Sequence, residues 1–194
     1  MPGQHNTPQL MGSLKGHLLI AMPGLTDPNF HQTVTFICEH TKEGAIGIVL
    51  NRIHSLLSGK DIFEELKLEA GPGAESIPVH IGGPVSINEI FVLHGPPFEW
   101  EGCFQVGPSI AMSNTIDILS ALSSGSGPKS FLISLGCAGW GPGQLEDEIK
   151  QNAWLTSALL KEIVFDIPVE MRWQTAVKKM GIDPTLLSNT AGHA

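Results

Sequence analysis

The stretch GCAGWGPGQLEDEIKQNAWL, residues 136–155, gathers the residue types most able to do chemistry: a thiol, two indoles, two glutamines and three consecutive acidic groups behind a glycine-rich loop. A phosphate-binding loop would end in Gly-Lys-Ser/Thr, so that an ammonium reaches the terminal phosphates and a hydroxyl holds magnesium, but Gly143, Gln144 and Leu145 stand there instead. The glycines do not fall in the G-x-G-x-x-G order of a dinucleotide site, and no βαβ unit surrounds them. Glu146, Asp147 and Glu148 open the helix expected next, where they complement the positive end of its dipole and repel an anion. Two readings remain. In one, the loop only connects a buried strand to an amphipathic helix, with Leu145, Ile149, Asn152 and Ala153 toward the core and Trp140 and Trp154 as packing anchors. In the other, Trp140, Gln144, Glu146 and Glu148 grip a protein partner or small ligand together with a turn carrying Asp27 and the Gly82, Gly83, Pro84 loop. Used that way, Trp140 and Glu148 are expected to be replaceable without loss of the fold.

Nucleophilic and metal chemistry have thinner support. The three cysteines, Cys38, Cys103 and Cys137, are widely spaced with no C-x-x-C, which argues against a disulfide framework and a zinc knuckle and for a reducing compartment. Cys137 follows a strand in a glycine-rich turn, superficially like a nucleophile elbow, yet the nearby carboxylates oppose a thiolate. A cysteine-dependent hydrolase or redox enzyme using Cys38 or Cys137 is the alternative to a binding protein. The eight histidines form no H-x-H or H-E-x-x-H group, and Cys38 with His40 supplies two ligands where a tetrahedral site needs four. No metal and no cofactor are expected.

Such groups need a scaffold, and 194 residues with 42% hydrophobic content suit one domain. The formal charge of −8 comes from 19 acidic against 11 basic residues, and the basic ones are scattered, so direct nucleic-acid binding is disfavoured. No apolar run approaches the ~20 residues of a membrane helix, and the polar beginning lacks the features of a secretory signal, so a cytoplasmic protein is expected. We expect residues 1–13 to form a flexible leader and 14–194 a single domain.

Within it, HLLIA (17–21) and the alternating segment 33–38 predict strands. HTKEG then makes a hairpin to AIGIVLN. KDIFEELKL predicts a short amphipathic helix with Ile62, Phe63 and Leu66 inward. VHIGGPV, EIFVLHG and CFQVGPSIAM predict three or four short strands. A helix follows with Ile116, Leu119 and Leu122 along one face and Gly125 past its end, then a buried strand over 130–136. EIVFD (162–166) predicts a further strand, and PVEMRWQTAVKKMG a helix opened by Pro168 and stopped by Gly181. The fold class is α+β, with a mostly antiparallel β-sheet or partial barrel flanked by helices.

The segments MPGLTDPNF, ICEHTKEGAIGIVLN, IGGPV with FVLHG, GCAGWGPGQLEDEIKQNAWL and RWQTAVKKMGIDPTLLSNTAGHA, in this order, resemble the AlgH/YqgE family of bacterial proteins, from about residue 14 to residue 194. The resemblance implies one α+β domain with an antiparallel sheet and carries the family's label of transcriptional regulation, without an activity attached to particular residues. No helix-turn-helix supports direct DNA contact. The family usually has an aromatic residue, typically Tyr, where this chain has Cys137, so a cysteine mechanism there would not be the family's.

Overall fold

The computed structural model describes residues 12–187; residues 1–11 of the expected leader and 188–194 lie outside the described residues. In chain order the elements are β1 (Leu18–Ala21), β2 (Val34–Thr41), β3 (Gly44–Val49), β4 (Ile53–Ser58), α1 (Gly59–Glu65), β5 (Pro78–Ile81), β6 (Val85–His94), β7 (Phe104–Gln105), β8 (Ala111–Ser113), α2 (Ile116–Ser123), β9 (Phe131–Trp140), α3 (Gln144–Lys150), β10 (Trp154–Ser157), α4 (Lys161–Phe165) and α5 (Arg172–Lys179). The strands form one curled sheet in the order β10-β1-β2-β3-β9-β6-β8-β7, with β4 and β5 on a branch beside β9. All pairings are antiparallel except β5 with β9. The result is a single α+β domain built on a half-barrel.

Alternation on β2 sorts its side chains between two cores. Val34, Phe36 and Cys38 enter the largest cluster, which α4 and α5 close with Ile163, Val164 and Trp173, while Ile37 enters a second cluster around Trp140 and Trp154. The third cluster lies under α1 and α2 and includes Phe63, Val92, Ile118 and Ile133.

β9 contributes to all three because its phase changes once. Leu132 faces the first cluster and Ile133 the third, but beyond Gly136 it is Cys137 that faces the first, and Ala138 and Trp140 that face the second. Gly136 sits at φ +72°, and a Cβ there would lie 2.7 Å from the Gly83 carbonyl oxygen, so only glycine fits this bulge.

Several expectations need correction. The buried strand does not stop at 136 but runs to Trp140, so Cys137 lies in a strand and the connector shrinks to residues 141–143. EIVFD is helical: Asp166 and Ile167 both donate backbone N–H bonds to the Glu162 carbonyl. Adjacent Ile163 and Val164 are both buried in that helix, and packing overrides their β-branched preference. Asn152 is exposed at φ +58°, ending α3 rather than facing the core. On α2 the buried stripe is Ile118, Leu119 and Leu122, and Ile116 is 55% exposed. The strand β4 had no counterpart among the expected elements.

Candidate functional site

The residues singled out around Trp140 are brought together, and their polar groups largely satisfy one another. Trp140 ends β9 and Trp154 begins β10, with their rings edge to face at 6.0 Å and 77°. Between them α3 turns Glu148 inward, and one of its oxygens accepts both indole N–H bonds, at 2.9 Å from Trp140 and 2.8 Å from Trp154. Its other oxygen accepts from the Gln144 side-chain amide at 2.9 Å, and the Gln144 carbonyl in turn accepts from the Gly141 N–H at 3.0 Å. Charge-assisted hydrogen bonds of this kind are the stronger ones, so the carboxylate holds α3 against the sheet. Replacing Trp140 or Glu148 would remove bonds of this network and so lower stability, whether or not the fold is kept as expected.

Glu146 completes the arrangement through His40. The imidazole Nδ1 accepts from the Leu14 N–H at 2.9 Å, which leaves the proton on Nε2, 3.0 Å from the Glu146 carboxylate. The start of the domain is thereby tied to α3. The Asp27 turn reaches the same cluster indirectly. Asp27 is exposed and caps its own turn by accepting from the Asn29 N–H at 2.8 Å, and the turn delivers Phe30 against Trp140 and Trp154 at centroid distances of 6.0 and 5.6 Å.

Gly82, Gly83 and Pro84 lie away from this cluster, in the connection from β5 to β6 that packs against β9. Gly82 donates to the Leu135 carbonyl, a Cβ at Gly82 would run into the Gly136 carbonyl, and one at Gly83 into the Cys137 backbone. Their part is a close backbone approach at the Gly136 bulge. Pro84 is exposed.

Neither sulfur of the cysteine alternative is reachable. Cys38 is fully buried, and burial, then the nearby Cys137, pushes its thiol far above the ordinary range. Burial, followed by the charge of Glu89, also raises Cys137. Both shifts oppose a thiolate at neutral pH. Among the described residues no three His, Cys, Asp or Glu side chains converge as metal ligands, and no helix is long and apolar enough to cross a membrane.

The feature that sequence reasoning missed is a groove of about 650 Å³ between α1 and the first half of β6, lined among others by Leu57, Ile62, Glu65, Ile87 and Leu135. Of its apolar lining Ile87 is 62% exposed, and the strands that border it carry further exposed apolar side chains, Leu56 at 83% and Ile53, Ile81 and Val85 nearly half exposed. Clusters of this kind mark interaction surfaces. Asp61, Glu64 and Glu65 on α1 line its rim, and Lys60 pairs with Glu64 at 3.7 Å. Among the described residues β4 pairs only with β5, leaving its second edge open. The apolar residues Ile53, Leu56 and Leu57 were the available signal, but a six-residue run without clean alternation reads equally as loop.

The comparisons with known proteins agree on one relationship. A family model described as AlgH-like matches residues 18–185. The chain is 50% identical over 188 residues to a UPF0301 protein of Desulforapulum autotrophicum, covering 97% of this chain and 100% of that protein. It is 48% identical over 182 residues to a UPF0301 protein of Saccharophagus degradans, covering 94% of this chain and 89% of that one. The solution structure of the AlgH protein from Pseudomonas aeruginosa superposes with a TM-score of 0.78 at 42% identity, each chain covered fully. A Corynebacterium diphtheriae protein shares the fold, with a TM-score of 0.69 at 18% identity over 89% of this chain and 88% of that one. With its family motifs distributed from β1 to the end of α5, the chain belongs to the AlgH-like, UPF0301 family.

Proposed function

We propose that this chain is a binding protein that regulates through a protein partner rather than through direct DNA contact or catalysis, and that the partner docks in the groove between α1, β4 and β6. The observation that carries this reading is the apolar lining of Leu57, Ile62, Ile87 and Leu135, with Ile87 62% exposed, beside an acidic rim. An open strand edge offers backbone groups to an extended segment, the apolar side chains offer pockets for alternate residues, and the carboxylates select a basic one. The occupant is therefore an extended segment of alternating apolar and basic residues. The Trp140, Gln144, Glu146, Glu148 and Asp27 cluster, with the Gly82, Gly83, Pro84 loop, serves this function as the frame that holds β9 beneath the groove.

The test uses the full chain and labelled peptides of alternating Leu and Lys, with alternating Leu and Glu as control, read by fluorescence anisotropy. The basic peptide is expected to bind, and the Leu57→Asp, Ile87→Asp double variant to lose at least about tenfold in affinity. Equal binding of the acidic peptide, or unchanged binding by the folded double variant, overturns the proposal. A stable dimer of the unliganded chain that the double variant abolishes would instead assign the groove to a second copy.

A further inference from the structure

A second cluster of reactive side chains lies away from both the aromatic frame and the groove. Three neighbouring strands assemble it. β8 lies between β6 and β7, with Val92 opposite Ser113 and Phe104 opposite Met112, so His94 near the end of β6, Ser113 and Cys103 at the entrance to β7 come onto one patch. His94 is fully buried, and its Nδ1 lies 2.8 Å from the Gly95 carbonyl oxygen, which can only accept, so Nδ1 carries the proton. Nε2 is then a bare acceptor, 3.0 Å from the Ser113 hydroxyl and 3.9 Å from the Cys103 sulfur. The backbone orients the imidazole with its basic nitrogen toward a thiol, which is the arrangement that activates a sulfur nucleophile.

Of the two groups at Nε2, only the thiol can meet a reagent. Ser113 is buried at 2% exposure, whereas Cys103 is half-buried beside the exposed Glu101 and Gly102. The remaining thiols, Cys38 and Cys137, are buried. Burial holds His94 below its ordinary range, offset in part by the Gly95 carbonyl, so at neutral pH the ring is the free base. Once protonated on Nε2, it donates on one side to the Gly95 carbonyl and on the other to the sulfur or to Ser113, whose hydroxyl can turn to accept.

We propose that Cys103 is the reactive thiol of this protein, activated by His94 for exchange with low-molecular-weight disulfides. In the step, the Cys103 sulfur attacks one sulfur of the disulfide as its proton passes to His94 Nε2. The new Cys103 S–S bond forms as the old S–S bond breaks, and the departing thiolate takes the proton from His94 and leaves as a thiol. The Cys103 sulfur is oxidised to the disulfide level and the departing sulfur is reduced, with no other oxidant required.

The probe is oxidised glutathione with the full chain at pH 7, read by intact mass and peptide mapping. A single mixed disulfide at Cys103 is expected, forming at least about tenfold faster in the folded chain than at the same cysteine in the urea-unfolded chain. His94→Gln is expected to remove that advantage, and Ser113→Ala to retain it by leaving Nε2 to the thiol alone. Should His94→Gln not fold, the folded-to-unfolded rate ratio of the unaltered chain decides. A ratio near one, or an adduct on Cys38 or Cys137 instead of Cys103, overturns the proposal.

Discussion

Trp140 and Trp154, fourteen positions apart, meet edge to face and donate their indole N–H groups to the same oxygen of Glu148. Removing the negative charge while keeping the shape tests what this shared acceptor contributes. Glu148→Gln retains one carbonyl oxygen for the two indoles but replaces a charged acceptor by a neutral one and sets an amide donor against the Gln144 amide, where an acceptor stood. A loss of roughly 1 to 3 kcal/mol in urea unfolding is expected. A variant as stable as the parent would show that a neutral acceptor serves the two N–H groups as well.

His80 is a second buried polar group, with neither ring nitrogen in a hydrogen bond. Burial, then repulsion from the Arg172 guanidinium, lowers its pKa from 6.5 to about 4, and the Ile133 backbone offsets only part of this. The unfolded chain therefore takes up a proton near pH 6.5 that the folded chain refuses until about pH 4. Stability from this group is full above pH 6.5 and falls as the pH drops toward 4, by at most about 3 kcal/mol. His80→Leu should flatten that part of the stability profile measured by urea unfolding between pH 7 and 4; an unchanged slope would assign the loss to other groups.

Gly136→Ala tests the bulge. The φ of +72° and the 2.7 Å approach to the Gly83 carbonyl oxygen strain any side chain there, and a cost of about 1 to 3 kcal/mol or more is expected in thermal or urea unfolding. Gly139→Ala makes a useful control in the same strand, because its Cβ would meet only the Val85 side chain at 3.4 Å.

On α2, Ile118→Ala should cost about 2 to 5 kcal/mol by opening the third core, whereas Ile116→Ala should shift stability by less than about 0.5 kcal/mol. Similar costs at both positions would contradict the orientation of the helix.

These contrasts show where the sequence was legible. The hairpin from β2 to β3 carries its turn residues at a two-residue spacing, Thr41 opposite Gly44, and α5 carries both its apolar stripe and its stop at Gly181, so each was readable locally. The α4 segment was not, because Ile163 and Val164 favour a strand until packing on α5 and the 2.7 Å Glu162–Lys179 pair are known. The end of β9 was misread because glycines at 136, 139 and 141 suggest a turn, while pairing with Ala45, Ile46 and Gly47 keeps the chain extended to Trp140. The candidate residues near Trp140 were found by their chemistry, yet that both indoles share one carboxylate oxygen is a three-dimensional fact no spacing encodes. Cys103 and His94 were passed over for the same reason, since the eight loop residues 95–102 separate them and the β6-β8-β7 order is what joins them.

The alternation of faces on either side of Gly136 makes the regular positions of β9 intolerant of an altered length. Deleting a residue from its regular part, such as Ala138, would turn Trp140 onto the face that Cys137 now occupies and strand its indole from the Glu148 oxygen, whereas loss of the extra residue Gly136 itself would leave the downstream side chains on their present faces. Variation in chain length across related sequences should accordingly fall in connections such as residues 66–73 and spare the regular positions of this strand.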